Sequence, residues 1–370
     1  MSSGPPESGP PESGPPAAVL ARVVRAASRA PSAENCQPWT FRWDGRRLQI
    51  LHDAQRARKG QDRAFHDSLL SLGCLLVAFE VAAAAEGLAL VVDLQLDEPD
   101  HVCWAELRFR TGPGRGAELA VALARRCTDR RPFRGGSPDH PVFGTIRAEA
   151  ERLPRVGLAT LGPPSGRLLS FFQEAEGLVW SHEPTWVDVM RWLRVSQREV
   201  EESRDGASWR CMGFDLPELP GLSRLRSPRT RALLARAGAP RLAAAWHAHQ
   251  LRSAGALVLV TVREPGRAAL VDAGRLMMLA WLHLTEADHG VQPHSQQSFF
   301  LHEAAVGTLP ADLGPPWRAR YAAGLEQVSS AFALGPGELP VMLLRTGISD
   351  SPPDWRWTLR RSLPELLSRG

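Results

Sequence analysis

The stretch RAPSAENCQPWTFRWDG, Arg29 to Gly45, sets the frame for the whole chain. It crowds Ser32, Asn35 and Gln37 between Pro31 and Pro38, then passes through Trp39 into a strand that breaks at Asp44-Gly45. Proline fixes φ and lowers the entropy lost in holding a turn, so these three short polar side chains sit on a stiff support. Upstream, AAVLARVVRAASRA has helical spacing from Ala17, and the helix should stop near Ala30 because Pro31 disfavours helical geometry before it. Downstream, WTFRW-DG-RRLQILHD reads as a hairpin, with Asp-Gly suited to a type I′ turn.

The pattern then unfolds in two rounds. A long apolar helix is expected from about Ala64 to Glu86, closed by Gly87, followed by strands in LALVVDLQL and CWAELRFR. After TGPGRG, which lacks the ending of a phosphate loop and reads as a linker, a helix runs into the basic turn RRCTDRRPF. PVFGTIRAEAERL is a helix and RVGLATLG a short strand, and a Trp-rich helical insertion spans about 165–249. AGALVLVTV is a buried strand, AALVDAGRLMMLAWLHLTEADHG a second long apolar helix, LPVMLLRTG a last strand, and WRWTLRRSLPELL the close of the chain. The order of elements gives an α+β fold in two similar halves, 17–115 and 116–370. The Pro/Gly/Ser repeat SGPPESGPPESGPP makes residues 1–16 a disordered tail.

Composition narrows the function classes. A 370-residue chain with 44% hydrophobic and 23% charged residues buries a sizeable core. The charge is only +4, yet the pI is near 9.1 because Lys59 is the single lysine among many arginines. Those arginines are scattered among acids, as in RVSQREVEESRDG, which argues against a nucleic-acid partner. No run of 18 apolar residues points to a membrane span, and the N-terminus has no signal-peptide pattern. Cys36, Cys74, Cys103, Cys127 and Cys211 form no CxxC pair, which argues against a zinc site or disulfide framework and suits a cytoplasmic location.

The turn APSAENCQPW closely resembles the APS-x-x-N-x-QPW turn of FMN-dependent nitroreductase-like proteins. RRCTDRRPF (Arg125 to Phe133) resembles the basic turn with which such proteins hold the flavin phosphate, and LPVMLLRTG…WRWTLRRSL resembles their C-terminal strand and closing arginines. AAWHAHQLRSAGALVLV places Gln250 before a strand, as a polar residue stands in that family. The order of these pieces is similar to the Acg-like branch, in which two nitroreductase-type halves are fused into a pseudo-dimer. The resemblance implies one flavin site. It would take Pro31, Ser32, Asn35 and Gln37 from the first half and Thr128, Arg130, Arg131, Gln250, Arg360 and Arg361 from the second. The reverse site, which lacks a Pro-Ser-x-x-Asn turn, would be dead.

That chemistry is reasonable for these residue types. Asn and Gln match a flavin edge that presents both donors and acceptors, and guanidinium grips phosphate oxygens in pairs. Hydride transfer belongs to the cofactor, so no side chain is assigned as catalytic acid or base. His294 and Trp209 are candidate substrate contacts, and the insertion is a candidate lid whose tryptophans offer stacking surfaces. No metal site is expected. No separate nicotinamide domain is visible, which is compatible with NAD(P)H sharing one site with the substrate or with an oxidase that needs none. The expectation is an FMN-dependent oxidoreductase acting on a small planar molecule, as a monomer or weak homodimer. The alternatives are a flavin-sequestering protein under a lid and a pseudoenzyme without FMN.

Overall fold

The computed structural model describes residues 14–57, 62, 64–97, 101–212, 222–349 and 358–369. Most of the expected tail therefore lies outside the described residues, although Gly14 at its end packs against the Trp43 ring. The chain opens with α1 (Ala17–Ala27), then β1 (Trp39–Trp43), β2 (Arg47–His52), α2 (His66–Ala85), β3 (Leu88–Leu94) and β4 (Cys103–Thr111). Next come α3 (Ala120–Arg125), α4 (Val142–Glu151) and β5 (Val156–Leu161). The insertion holds α5 (Gly166–Ala175), α6 (Leu178–Ser181), α7 (Glu183–Trp192), β6 (Leu193–Arg194), α8 (Gln197–Ser203), β7 (Ala207–Ser208), α9 (Pro228–Arg236) and α10 (Ala239–Arg252). β8 (Ala256–Val262), α11 (Arg267–Glu286), β9 (His289–Pro293), α12 (Ser295–Ala305), α13 (Pro315–Ala331), β10 (Leu339–Ile348), α14 (Leu363–Leu366) and β11 (Leu367–Arg369) complete it.

The mixed α+β architecture with two halves is what the order of elements predicts. One sheet runs β11-β1-β2-β4-β3 and the other β5-β8-β10-β9. Between them lie α2 and α11, each of 20 residues. α2 alone among the described helices is long and apolar enough to cross a membrane, but 89% of that window is buried inside the protein. It is apolar all round because it packs on the first sheet, on α1 and on α11 at once. One core runs without a break from Phe41 and Leu107 through Leu75 and Met278 to Val258 and Val260. β8 is buried on both faces: Val258 and Val260 join that core, while Leu257 and Leu259 join a second one beneath α5, α12 and α13.

The helix crossing is reciprocal. A Cβ on Gly73 would meet Val271 O at 2.0 Å, and one on Gly274 would meet Leu70 O at 2.1 Å. Gly274 and Val271 stand 201 residues after Gly73 and Leu70, so the two halves present the same face to each other, as about a pseudo-two-fold axis.

Two local expectations fail. The hairpin turn is not type I′: only Gly45 has positive φ, while the Asp44 carboxylate accepts from the N–H groups of Arg46 and Arg47 and sets the bend instead. The chain's last strand also leaves the second half. β11 pairs in parallel with β1, Phe41 opposite Leu367, so the first sheet is completed from the far end of the sequence.

Candidate functional site: a strained turn facing an arginine chamber

The Pro31–Pro38 turn is strained. Glu34, Asn35 and Gln37 have φ of 45°, 57° and 50°, the left-handed region that side chains other than glycine seldom adopt. The Ser32 hydroxyl accepts from Gln37 N at 2.9 Å and ties the turn to itself. Further bonds tie it to distant segments. Asn35 Nδ2 donates to Gly206 O and Leu359 O, both at 3.0 Å, and Gln37 Nε2 donates to Arg204 O at 3.0 Å. Arg361 N donates to Gln37 Oε1 at 2.9 Å. The turn thus anchors both the insertion and the C-terminal segment. Asp205, held by Arg194 and Arg56, reinforces the same junction.

In front of the turn are two adjoining chambers that share Pro31, Ser32, Glu34, Thr128 and Arg130. The first is lined by Arg29, Arg126, Arg130 and Arg360, with Glu34 the acid among its lining residues. Arg130 donates to Cys211 O at 2.7 Å, and Arg360 to Ser28 O and Arg29 O at 2.9 and 3.1 Å. Arg126 stacks over Trp281 at 4.5 Å, and its buried Nε meets no acceptor. Burial pushes the Arg126 guanidinium down to about 10, and the nearby Arg29 adds to this. Arg360 is also lowered, by burial and then by Arg126 and Arg29. Among the described residues the Arg126, Arg130 and Arg360 guanidinium groups are answered mainly by carbonyls, which leaves a positive site that an anion would relieve.

The second chamber has one apolar side, Leu70 and Cys74 of α2, Met277 and Trp281 of α11, Pro293 and Met342, with Asp67, Ser71 and Ser295 also on its lining. The two spaces hold about 70 Å³ and about 80 Å³, less than the ~300 Å³ at the lower end of small-molecule sites. Ala207 and Cys211, from the insertion, close one wall of the arginine chamber.

Of the residues singled out in the sequence, Pro31, Ser32, Asn35, Thr128, Arg130 and Arg360 line these chambers. Gln37 does not; it is fully buried and spent on the bonds above. The Arg131 guanidinium turns away to grip both oxygens of Asp129, at 3.1 and 3.0 Å. Gln250 donates to Arg130 O, behind the chamber wall. Arg361 reaches Trp39 O and Glu365 O. Trp209 is buried one turn from Cys211, and His294 is buried against His247. Arg29 and Arg126 escaped the sequence reading. Extended backbone explains the choice: Thr128 bridges Val291 in parallel, so Arg126, Thr128 and Arg130 share one side while Asp129 and Arg131 take the other. A period of two in RCTDRR was the available signal.

Beyond the Pro293–Ser295 wall lies a polar cluster. Gln297 donates to Glu176 at 3.0 Å, His247 Nδ1 stands 3.5 Å from the same carboxylate, and the His247 and His294 rings meet at 4.9 Å. Burial raises Glu176 to about 7, against the Gln297 bond, which lowers it. Among the described residues no cluster fits a metal ion. Below pH 4.5, the ordinary value, Glu176 is protonated folded or unfolded; as pH rises to about 7 the unfolded chain loses its proton first, and stability falls. With a quarter of the Glu176 side chain still exposed, at 24%, that loss is on the order of 2 kcal/mol. Glu176→Gln should remove it. Between pH 5 and pH 7.5 the neutral His52 and His247, both lowered by burial, raise the stability of both proteins, so urea melts should show the variant gaining about 2 kcal/mol more than the wild type. Equal slopes in both proteins would refute the assignment.

No family model matches the chain. It is 32% identical over 118 residues to the putative NAD(P)H nitroreductase acg of Mycobacterium tuberculosis, a match covering 31% of this chain and 36% of the relative. The chain thus spans about a third of the length of the curated relatives it matches. Solved structures include the FMN- and NADPH-dependent nitroreductase NfnB from sphigopyxis sp. strain HMH, 18% identical, covering 68% of this chain and 97% of that one with a TM-score of 0.36. A nitroreductase with bound FMN from Desulfitobacterium hafniense DCB-2 is 14% identical, with the same coverage and a TM-score of 0.35. Likeness at that level leaves the site to be argued from this chain's own residues. Over that stretch of 118 residues the chain is similar to a nitroreductase.

Proposed function

We propose that the chain is an FMN-dependent oxidoreductase that passes reducing equivalents to or from a small planar molecule. The observation that carries the reading is the junction of the two chambers: clustered guanidinium groups beside a slot with one apolar, Trp-bearing side, with the strained turn between them. Arg126, Arg130 and Arg360 would hold the phosphate, and Leu70, Met277, Trp281 and Met342 would border the ring. The bound flavin supplies hydride transfer. The protein's part is to fix the ring, keep water from it and neutralise the phosphate; the unpaired Nε of Arg126 and Oδ1 of Asn35 are polar atoms that a ligand would satisfy. The chambers are too small for FMN as they stand, so the Ala207–Cys211 wall has to swing outward on binding. NAD(P)H as donor, a cytoplasmic location and a monomeric or weakly dimeric state belong to the same proposal.

Titration with FMN, desalting and an absorption spectrum test it. A retained flavin band supports the reading, and a protein that never takes up FMN refutes it. A second reading, a protein that sequesters flavin, is favoured by the bonds that clamp the insertion onto Asn35 and Gln37. Anaerobic NADPH separates the two: bleaching supports turnover, and a loaded protein that never bleaches supports sequestration.

A further inference from the structure

A roomier cavity than either chamber lies elsewhere. It holds about 350 Å³, within the ~300–1,000 Å³ of small-molecule sites. It lies just past the glycine crossing, where the C-terminal halves of α2 and α11 diverge. Val77, Glu80 and Val81 come from α2, and Arg275, Leu279 and His283 from α11. The linker from Gly114 to Glu118 and the end of α4 form its roof. The offset of 201 residues carries Glu80 to Trp281 and Arg275 back to Cys74, both of which line the second chamber, so this cavity is the counterpart of that chamber across the pseudo-two-fold.

Its charges are unevenly satisfied. Glu149 is met by Arg115 at 3.1 Å and by Arg152 at 2.8 Å. Glu80 and Arg275 meet only loosely, at 3.6 Å. Arg275 Nε is buried without an acceptor, and His283 Nε2 is buried without a partner. Glu80 is pushed up, chiefly by burial. A half-buried carboxylate and a guanidinium thus face each other too far apart for a hydrogen bond, above a floor of Val77, Val81 and Leu279.

We propose that this cavity between α2 and α11 binds a small zwitterion with an apolar side chain, an α-amino acid of about leucine's size. Its ammonium would sit by Glu80, its carboxylate by the Arg275 guanidinium, and its side chain would lie on the valines and Leu279. The site stands apart from the flavin reading, but α11 serves both cavities: Met277 and Trp281 border the second chamber, Leu279 and His283 this one.

Calorimetry of the full chain with L-leucine tests the proposal. One saturable site is expected, with hexanoate and isoamylamine, which each lack one charge, about tenfold weaker or worse. Arg275→Gln and Glu80→Gln should each weaken leucine at least about tenfold, and Leu279→Trp, which fills the space, should abolish binding while a thermal melt verifies folding. No binding up to about 10 mM leucine, hexanoate binding as tightly as leucine, or binding indifferent to folded Arg275→Gln and Leu279→Trp proteins would each overturn it. FMN uptake by the same samples is read separately, so failure here leaves the flavin assignment untouched.

Discussion

Gly73→Ala and Gly274→Ala should each cost the protein about 3 kcal/mol or more. Neither glycine is needed for its backbone angles. Both lie inside helices, where alanine would by itself gain roughly 1 kcal/mol. The cost comes from the crossing: the added methyl carbon would sit 2.0 Å from Val271 O in one case and 2.1 Å from Leu70 O in the other. Those atoms are helical backbone and cannot rotate away, so α2 and α11 have to move apart at the centre of the core both halves share. Thermal unfolding should show a midpoint roughly 4 °C or more lower. Gly144→Ala on α4, where an added Cβ meets nothing within 4 Å, is the matched control and should hold or slightly raise the midpoint. A Gly73→Ala protein that melts with the wild type would mean that the helices do not cross this closely.

Arg130→Ala should weaken FMN by about 10- to 100-fold, the weight of one or two charge-assisted hydrogen bonds, while Arg131→Ala should leave it within about threefold. The two residues are adjacent, yet only Arg130 borders both chambers; Arg131 is taken up by Asp129. Flavin fluorescence titration reads both affinities. Selective loss in Arg131→Ala, with Arg130→Ala unchanged, would invert the assignment.

The comparison of these neighbours shows how far the sequence alone could be read. α2 and α11 were visible because a helix buried all round needs some twenty apolar positions, which leave a long uninterrupted signal. The turn was visible because prolines and short polar residues cluster there for a backbone reason. Which face each basic residue takes was not, because that depends on Thr128 lying extended beside Val291, a contact between segments 163 residues apart. Gln37 was misplaced for a related cause: it can donate to Arg204 O only because the insertion folds back over the turn, and no local pattern encodes that return. Nor could three residues, Leu367 to Arg369, announce a strand that belongs to the other half's sheet.

That last strand has a mechanical consequence. β1 and β11 run parallel, Phe41 beside Leu367 and Trp43 beside Arg369. A force applied between Trp39 and Arg369 therefore pulls them from opposite ends and loads their ladder in shear, all its bonds together. Everything threaded between them, both long helices and the whole second sheet included, is shielded until that ladder slips. In an optical trap the clasp should act as a fuse, giving one short rupture of the two strands before any lobe of the protein yields.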